Sequence, residues 1–361
     1  MIFRDKEEMN QADPLARQDL DLVLEQTAPL WAEVRGKRIL LTGGTGFFGC
    51  WLVESFCHIA KSLNLGAHLV VLTRKPTEFA VKCPHLAADP HLSLHLGDVR
   101  SFTFPEGEFE YAVHCATETN ARAVAEDPLS AFSTIVSGTE RVLQFAAASG
   151  VRKFLLTSSG AVYGKQPDTV THVLETYLGA PDALDPTSFY AEGKRAAELL
   201  CALYGKKHGL ECKIARCWAF CGPHLPLDWH FAIGNFIGDV LAGKPIEIKG
   251  DGTPRRSYLY AADLAVWLWT ILFRAPSLMP INVGSANDVS ILELAQIVAK
   301  TLNPQTKIHI AKKAVLGVAG HYVPSVARAR ELLGLHETVG LEESIRRTAS
   351  WYTRKASHPS P

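Results

Sequence analysis

The sequence predicts an α/β protein: a Rossmann-type, doubly wound parallel sheet with a smaller C-terminal substrate-binding lobe. Three observations carry this. Apolar runs alternate with helical patterns from residue 36 to about 165, as successive βαβ units require. The first run, KRILL, passes straight into a glycine-rich turn, TGGTGFFG (42–49), and then into the helical stretch CWLVESFCHIA. Farther along, Tyr190 and Lys194 stand four residues apart at the head of an amphipathic helical stretch.

The elements follow in order. Residues 1–35 form an N-terminal extension. Its start, MIFRDKEEMNQADPL, lacks the apolar centre of a signal peptide, and LDLVLEQTAPLWAEV has the near-helical spacing of one docked helix. Residues 36–220 form the dinucleotide-binding domain. KRILLTG, HLVVLTR, LSLHLGD, YAVHCAT and KFLLTSS read as its strands, rich in Val, Ile and Leu and bounded by turn residues. From 221 to 361 the pattern loosens, with prolines at 223, 226, 245 and 254. This is mainly the substrate-binding lobe. Segments such as ARCWAF (215–220) and INVGS (281–285) read as strands that weave between it and the Rossmann domain. AADLAVWLWTILF (261–273) is too short to span a membrane and reads as a buried helix.

Charge and cysteine content narrow the function. Lys plus Arg number 37 and Asp plus Glu 37, so neither a nucleic-acid stripe nor a polybasic membrane patch is expected. The eight cysteines include no C-x-x-C pair, Cys217 and Cys221 being the nearest, and no H-E-x-x-H occurs. That pattern argues for reduced thiols in the cytoplasm and against a metal site.

Gly43, Gly46 and Gly49 give the spacing of a dinucleotide turn: one glycine for the tight turn, one for approach to a pyrophosphate, one for helix-on-strand packing. Thr45, Phe47 and Phe48 complete that cradle. The second strand ends in Thr73, Arg74 and Lys75, where an acidic residue would bind a ribose 2′-hydroxyl. Two cations there suit a 2′-phosphate better, so NADP is preferred and NAD remains the alternative. Asp98 and Val99, after the third strand, fall beside the adenine. Cys115, Ala116 and Thr117, after the fourth, line the middle of the cofactor.

Residues i and i+4 share a helix face, so Lys194 can hold its ammonium near the Tyr190 hydroxyl and a bound ribose. A free tyrosine titrates near 10. A neighbouring cation and the charge of an oxidised nicotinamide both favour the phenolate. Tyr190 can then take or return a hydroxyl proton while hydride moves.

TGGTGFFG, HCAT, TSSGAVYG, YAEGK, ARCWAFCGP and GDGTPRRSYLYAAD occur in this order. In this the sequence resembles the extended short-chain dehydrogenase/reductase family, in its nucleotide-sugar epimerase/dehydratase branch, over residues 36 to 350. The resemblance implies a nucleotide-sugar substrate and assigns roles. Ser159, with Ser158 beside it, would bond the sugar hydroxyl that is oxidised. Tyr190 would be the base and Lys194 its support. Arg256 would clamp the substrate pyrophosphate, with Arg255 the weaker candidate, and Asn235 would sit near the same phosphates. A homodimer through two helices of the Rossmann domain is implied too.

The stretch TSSGAVYG departs from part of that branch. Dehydratases that resemble it carry Asp-Glu at the positions of Gly160 and Ala161, and decarboxylases carry a Glu at the Ala161 position. Neither Gly160 nor Ala161 has a side-chain proton to move, and Glu118 is the candidate substitute. What remains is hydride transfer at a carbinol. The first expectation is an epimerase acting at carbon 4, with Gly160 and Ala161 leaving room for the ketose to turn. The alternative is an NADPH-dependent keto-sugar reductase. A 4,6-dehydratase and a non-catalytic dinucleotide-binding protein rank below these. Ala219 replaces an asparagine that touches substrate in similar proteins. Trp229, His230 and Phe231 form either a wall that selects the sugar or a locally packed loop, and His230 is a further acid–base candidate.

Overall fold

The computed structural model describes residues 14–117, 127–229, 231–312 and 320–357. Seven strands form one sheet: β1 (Arg38–Thr42), β2 (His68–Thr73), β3 (Leu92–Leu96), β4 (Tyr111–His114), β5 (Lys153–Ser159), β6 (Glu211–Cys217) and β7 (Pro280–Val283). Their order is β7-β6-β5-β4-β1-β2-β3. Every neighbouring pair is parallel. Buried apolar runs explain this: every residue of β4 and of β5 is buried, so both faces of the sheet must be covered by helices.

Each face has its own core. One is built from helices Phe47–Ser62 and Ala261–Arg274, with Trp51, Phe56, Trp267 and Trp269 buried against β1. The other is built from helices Pro128–Ala148 and Phe189–His208, with Phe145, Val142 and Ala197 packed on Phe154 and Leu156. The stretch 261–273 is buried throughout, as its composition predicts. The segments expected to weave back join the sheet: residues 211–217 form β6, and 280–283 form the edge strand β7.

A third core belongs to the lobe, where Leu225, Ile233, Phe236, Leu294 and Ile345 pack together. Its small sheet pairs Arg255–Ser257 antiparallel with Asp288–Ser290 and parallel with His321–Tyr322, which sets Tyr322 opposite Arg256.

The N-terminal segment is stitched to the Rossmann layer. Its expected single helix is an α-helix, Arg17–Thr27, followed by a 3-10 helix, Ala28–Val34, with a proline near its start. Trp31 is fully buried against Phe56, Trp269 and Phe273. Asp19 accepts hydrogen bonds from Tyr260 (2.8 Å) and from Arg347 (2.6 Å) of the helix Leu341–Ser357. No helix among the described residues is long and apolar enough to cross a membrane.

The strand order reverses between β1 and β4. The loops that follow them run to opposite sides, opening a crevice at their C-terminal ends.

Candidate active site

The glycine turn occupies that crevice. Gly43 has φ +74°, and a Cβ there would stand 2.7 Å from the backbone of Cys115 and Ala116. The loops after β1 and β4 therefore touch only because residue 43 has no side chain. A Cβ on Gly49 would meet the Gly43 carbonyl oxygen at 2.1 Å, so the helix can sit on the turn only with glycine there. Gly46 is different: it is exposed, and its nearest such contact is 3.5 Å. It precedes helix Phe47–Ser62, whose start no side chain caps. The N–H groups of Phe47 and Phe48 thus face a place where an anion fits. The Thr117 hydroxyl, buried after β4, has no partner among the described residues. An orphan of that kind at the crevice fits a dinucleotide that would satisfy it.

Asp98 is held by Arg100 through contacts of 2.8 and 3.0 Å, and this pairing keeps its carboxyl below the usual range. Val99 is buried beneath Gly138. Arg74 and Lys75 are both exposed at the end of β2, and Lys75 is paired with Glu78 at 2.6 Å.

Strand β5 carries Thr157, Ser158 and Ser159 to the same crevice. The Ser159 Oγ accepts from the Ala161 N–H at 3.1 Å, which caps the 3-10 turn Gly160–Tyr163. Tyr190 stands near Ser159, at the head of helix Phe189–His208. Lys194, one turn on, is buried and donates to the Thr157 carbonyl at 2.8 Å. Its ammonium lies 5.9 Å from the Tyr190 ring centroid. The structure brings Ser159, Tyr190 and Lys194 together as the spacing predicts.

The electrostatics differ from expectation. Burial lowers Lys194 to about 8, with Cys217, Cys115 and Glu198 opposing it. Burial raises Tyr190, and the nearby Ser159 hydroxyl offsets that only in part. The lysine alone does not bring the phenol down, because its charge is turned toward the Thr157 carbonyl.

Ser158 is a second correction. Successive residues of a strand face opposite ways, and Ser158 turns from the crevice to donate to Glu198 at 2.6 Å. Arg216 holds the same carboxylate through contacts of 2.9 and 2.6 Å. The Ser158 hydroxyl therefore has a protein partner where substrate contact was expected.

A third correction concerns room. A Cβ on Gly160 would stand 2.6 Å from the Trp218 indole and 2.8 Å from the Tyr322 hydroxyl. Trp218 is fixed there by donating to Asn282 at 3.1 Å and by stacking on Tyr163 at 5.8 Å. Gly160 makes space for these two rings; the space is not left open for a turning ketose.

Arg256 donates to the carbonyls of Arg255 (2.7 Å) and Gly320 (3.0 Å), and its guanidinium sits 5.7 Å from the Tyr322 ring. Arg255 is instead bound by Asp288 and Glu293. Asn235 is half-buried in the first turn of helix Ala232–Leu241. Glu118 and His230 lie outside the described residues. Sequence reasoning missed Trp218 and Tyr322. The available signal was Gly160 itself: a glycine inside a catalytic-strand motif implies a bulky neighbour.

A glycine turn at the switch point of a doubly wound sheet, with Ser, Tyr and Lys grouped one strand away, defines a short-chain dehydrogenase/reductase-type protein. The chain belongs to the NAD dependent epimerase/dehydratase family, whose model matches residues 39–284. It is similar to UDP-glucuronic acid decarboxylase 1 of Arabidopsis thaliana, 31% identical over 314 residues, which cover 87% of this chain and 69% of that protein. Among solved structures, a UDP-galactose 4-epimerase is 26% identical, with a TM-score of 0.69 over 88% of this chain and 99% of that one. A dTDP-glucose 4,6-dehydratase of Streptomyces venezuelae, solved with NAD, shares the fold at 23% identity, with a TM-score of 0.75 over 89% of this chain and 98% of its own.

Proposed function

We propose that the protein is a nucleotide-sugar epimerase that inverts a carbinol, at carbon 4, by removing and returning hydride. The observation that carries this is the pairing of Ser159, Tyr190 and Lys194 with a strand end, Gly160–Ala161, that bears no carboxylate. Residues 36–220 would hold the dinucleotide and residues 221–361 mainly the substrate, with 1–35 as an extension docked on the first. The nicotinamide supplies the hydride acceptor and donor. The glycine turn, Thr45, Phe47 and Phe48 hold the pyrophosphate, Asp98 and Val99 the adenosine side, and Cys115, Ala116 and Thr117 the middle. Ser159 orients the carbinol oxygen. Tyr190 takes the proton at its phenolic oxygen and gives it back, and Lys194 keeps positive charge close to that oxygen. Arg256 and Asn235 hold the substrate phosphates, an Arg fork being suited to them.

NADP is the preferred dinucleotide because Arg74 and Lys75 stand where a 2′-phosphate would fall. NAD is the second reading, favoured by the family and by the Lys75–Glu78 pair. We assign the cytoplasm because all eight cysteines are free thiols. A homodimer would use helices Pro128–Ala148 and Phe189–His208, which expose Leu129 (81%), Leu199 (61%) and Leu203 (55%).

The test is to identify the dinucleotide bound to the purified protein, then to supply nucleotide sugars and their 4-keto derivatives while following reduced-nicotinamide absorbance. The expected result is an inverted sugar with no net absorbance change, abolished in Tyr190→Phe while dinucleotide binding persists. Stoichiometric loss of NADPH would establish the reductase instead. Carbon dioxide released from UDP-glucuronic acid would put the activity with the decarboxylase relatives.

A further inference from the structure

Strand β4 ends in His114, which is buried beneath the crevice with both ring nitrogens bonded. Nδ1 stands 2.6 Å from the hydroxyl of Thr42, at the end of β1. Nε2 stands 3.0 Å from the hydroxyl of Thr139, in helix Pro128–Ala148. The two threonines fix which nitrogen carries the proton. The Thr139 hydroxyl lies 2.6 Å from the Ile135 carbonyl oxygen, and two oxygens come that close only with a proton between them. A carbonyl has none to give, so Thr139 gives its own and can only accept from the imidazole. Nε2 is therefore protonated. Burial, with the Lys194 charge adding to it, holds the imidazole down at about 3, so the ring is neutral and Nδ1 is bare. Thr42 then donates to Nδ1, and its oxygen accepts from the Ala116 N–H at 3.2 Å.

We propose that His114 is a positioning residue for the dinucleotide: in this one tautomer it aims the Thr42 hydroxyl, and Thr42 holds the loop 115–117 beside the glycine turn. The bonds run without a gap from the helix, through β4 and β1, to the loop that lines the cofactor's middle. Thr42 grips that loop twice, since its carbonyl also accepts from the Cys115 N–H at 3.1 Å. The need for a grip is visible at Gly43, where a Cβ would stand 2.7 Å from the backbone of Cys115 and Ala116. Loop and turn already touch, so a small drift of either changes the gap that a ligand must enter. The His114 backbone is fixed from the catalytic strand as well. Its carbonyl accepts from the Thr157 hydroxyl at 3.0 Å, and the Thr157 carbonyl accepts from Lys194. The cofactor loop and the helix that carries Tyr190 are thus referred to one point. The neutrality of the ring matters to this. A proton on Nδ1 would confront the Thr42 proton and reverse the run of bonds.

The inference rests on the reading of the crevice as a dinucleotide site, and its test separates the two. The first arm is ring-nitrogen NMR of the unaltered full-length protein with isotope-labelled histidine. One imidazole should show a protonated Nε2 and a bare Nδ1, with neither signal moving between about pH 6 and about pH 9. It is assigned by its loss in His114→Phe or by its shift in Thr42→Val. The second arm is calorimetric titration with NAD and NADP. Thr139→Val deletes the acceptor of Nε2 on the far side of β4 from the loop. Affinity for the tighter dinucleotide should still fall about fivefold, the effect of one hydrogen bond. Thr139→Ser keeps the hydroxyl and should stay within about twofold of the unaltered protein. In a His114→Phe background Thr139→Val should change affinity no further, because the ring through which it acts is gone. A proton on Nδ1, a ring that titrates within that range, or a Thr139→Val effect that is absent or equal in both backgrounds overturns the proposal. Failure of the unaltered protein to bind either dinucleotide would defeat the reading of the crevice itself, while the spectrum still decides the tautomer.

Discussion

A methyl group on Gly160 has nowhere to go, since Trp218 and the Tyr322 hydroxyl already stand 2.6 and 2.8 Å from where it would be. Gly160→Ala should therefore cost about 1–3 kcal/mol of stability by overpacking, and should push the Trp218 and Tyr322 rings away from the end of β5. Thermal unfolding and turnover should fall together. A variant with wild-type values in both would mean that the rings relax freely. The same niche explains which residues could be read from the chain. Ser159, Tyr190 and Lys194 carry their geometry in local spacing. Ser158 could have been set apart from Ser159 by strand alternation alone. Gly160 signals a bulky neighbour but does not say which, because the contacts of Trp218 and Tyr322 join segments far apart in sequence.

Among the elements, the turn between β1 and helix Phe47–Ser62 has the least freedom. Gly49→Ala would put a methyl 2.1 Å from the Gly43 carbonyl oxygen. The helix would have to move off the turn, carrying the N–H groups of Phe47 and Phe48 with it. Dinucleotide affinity should drop by at least about tenfold, the equivalent of 1.4 kcal/mol, as measured by calorimetric titration. Unchanged affinity would mean that the pyrophosphate is not held there. This element was legible because its glycines are steric requirements. The strands were legible for a related reason: a parallel sheet buried on both faces demands nearly continuous Val, Ile and Leu. The break of the first helix into a 3-10 turn was less legible. Apolar spacing continues across it, while the path is set by Trp31 entering a pocket of Phe56, Trp269 and Phe273.

Across the whole molecule, Glu54 ties four separate parts of the chain together. It accepts from the Leu15 N–H at 2.7 Å, pairs with His224 of the lobe at 3.4 Å and lies 3.8 Å from His85. The Trp351 ring covers His224 at 4.6 Å. Burial disfavours the His224 imidazolium, but Cys50 and Glu54 outweigh it and hold its pKa up at about 9. The folded-state value is above the unfolded one, near 6.5. The contribution is therefore complete below about pH 6.5 and is lost as the pH rises through about 9. His224→Phe should cost about 3–5 kcal/mol at pH 6, because Glu54 keeps its burial and loses its partner. It should also flatten the fall in Tm that the unaltered protein shows between those pH values. A fall of the same slope in the variant would place the titration elsewhere.

The bond between Asp19 and Arg347 spans 328 positions of the chain. A ribosome works at about 5–20 residues per second, so Asp19 exists for tens of seconds before Arg347 is made. For most of that interval the helix Arg17–Thr27 has no Tyr260 to answer its acid, and Trp31 has no Trp269 or Phe273. A segment made before its partners is thus among the last to be locked. Until Trp269 and Phe273 are made, Trp31 stays available to whatever holds nascent chains, and the Asp19 carboxylate waits longer still, for Arg347.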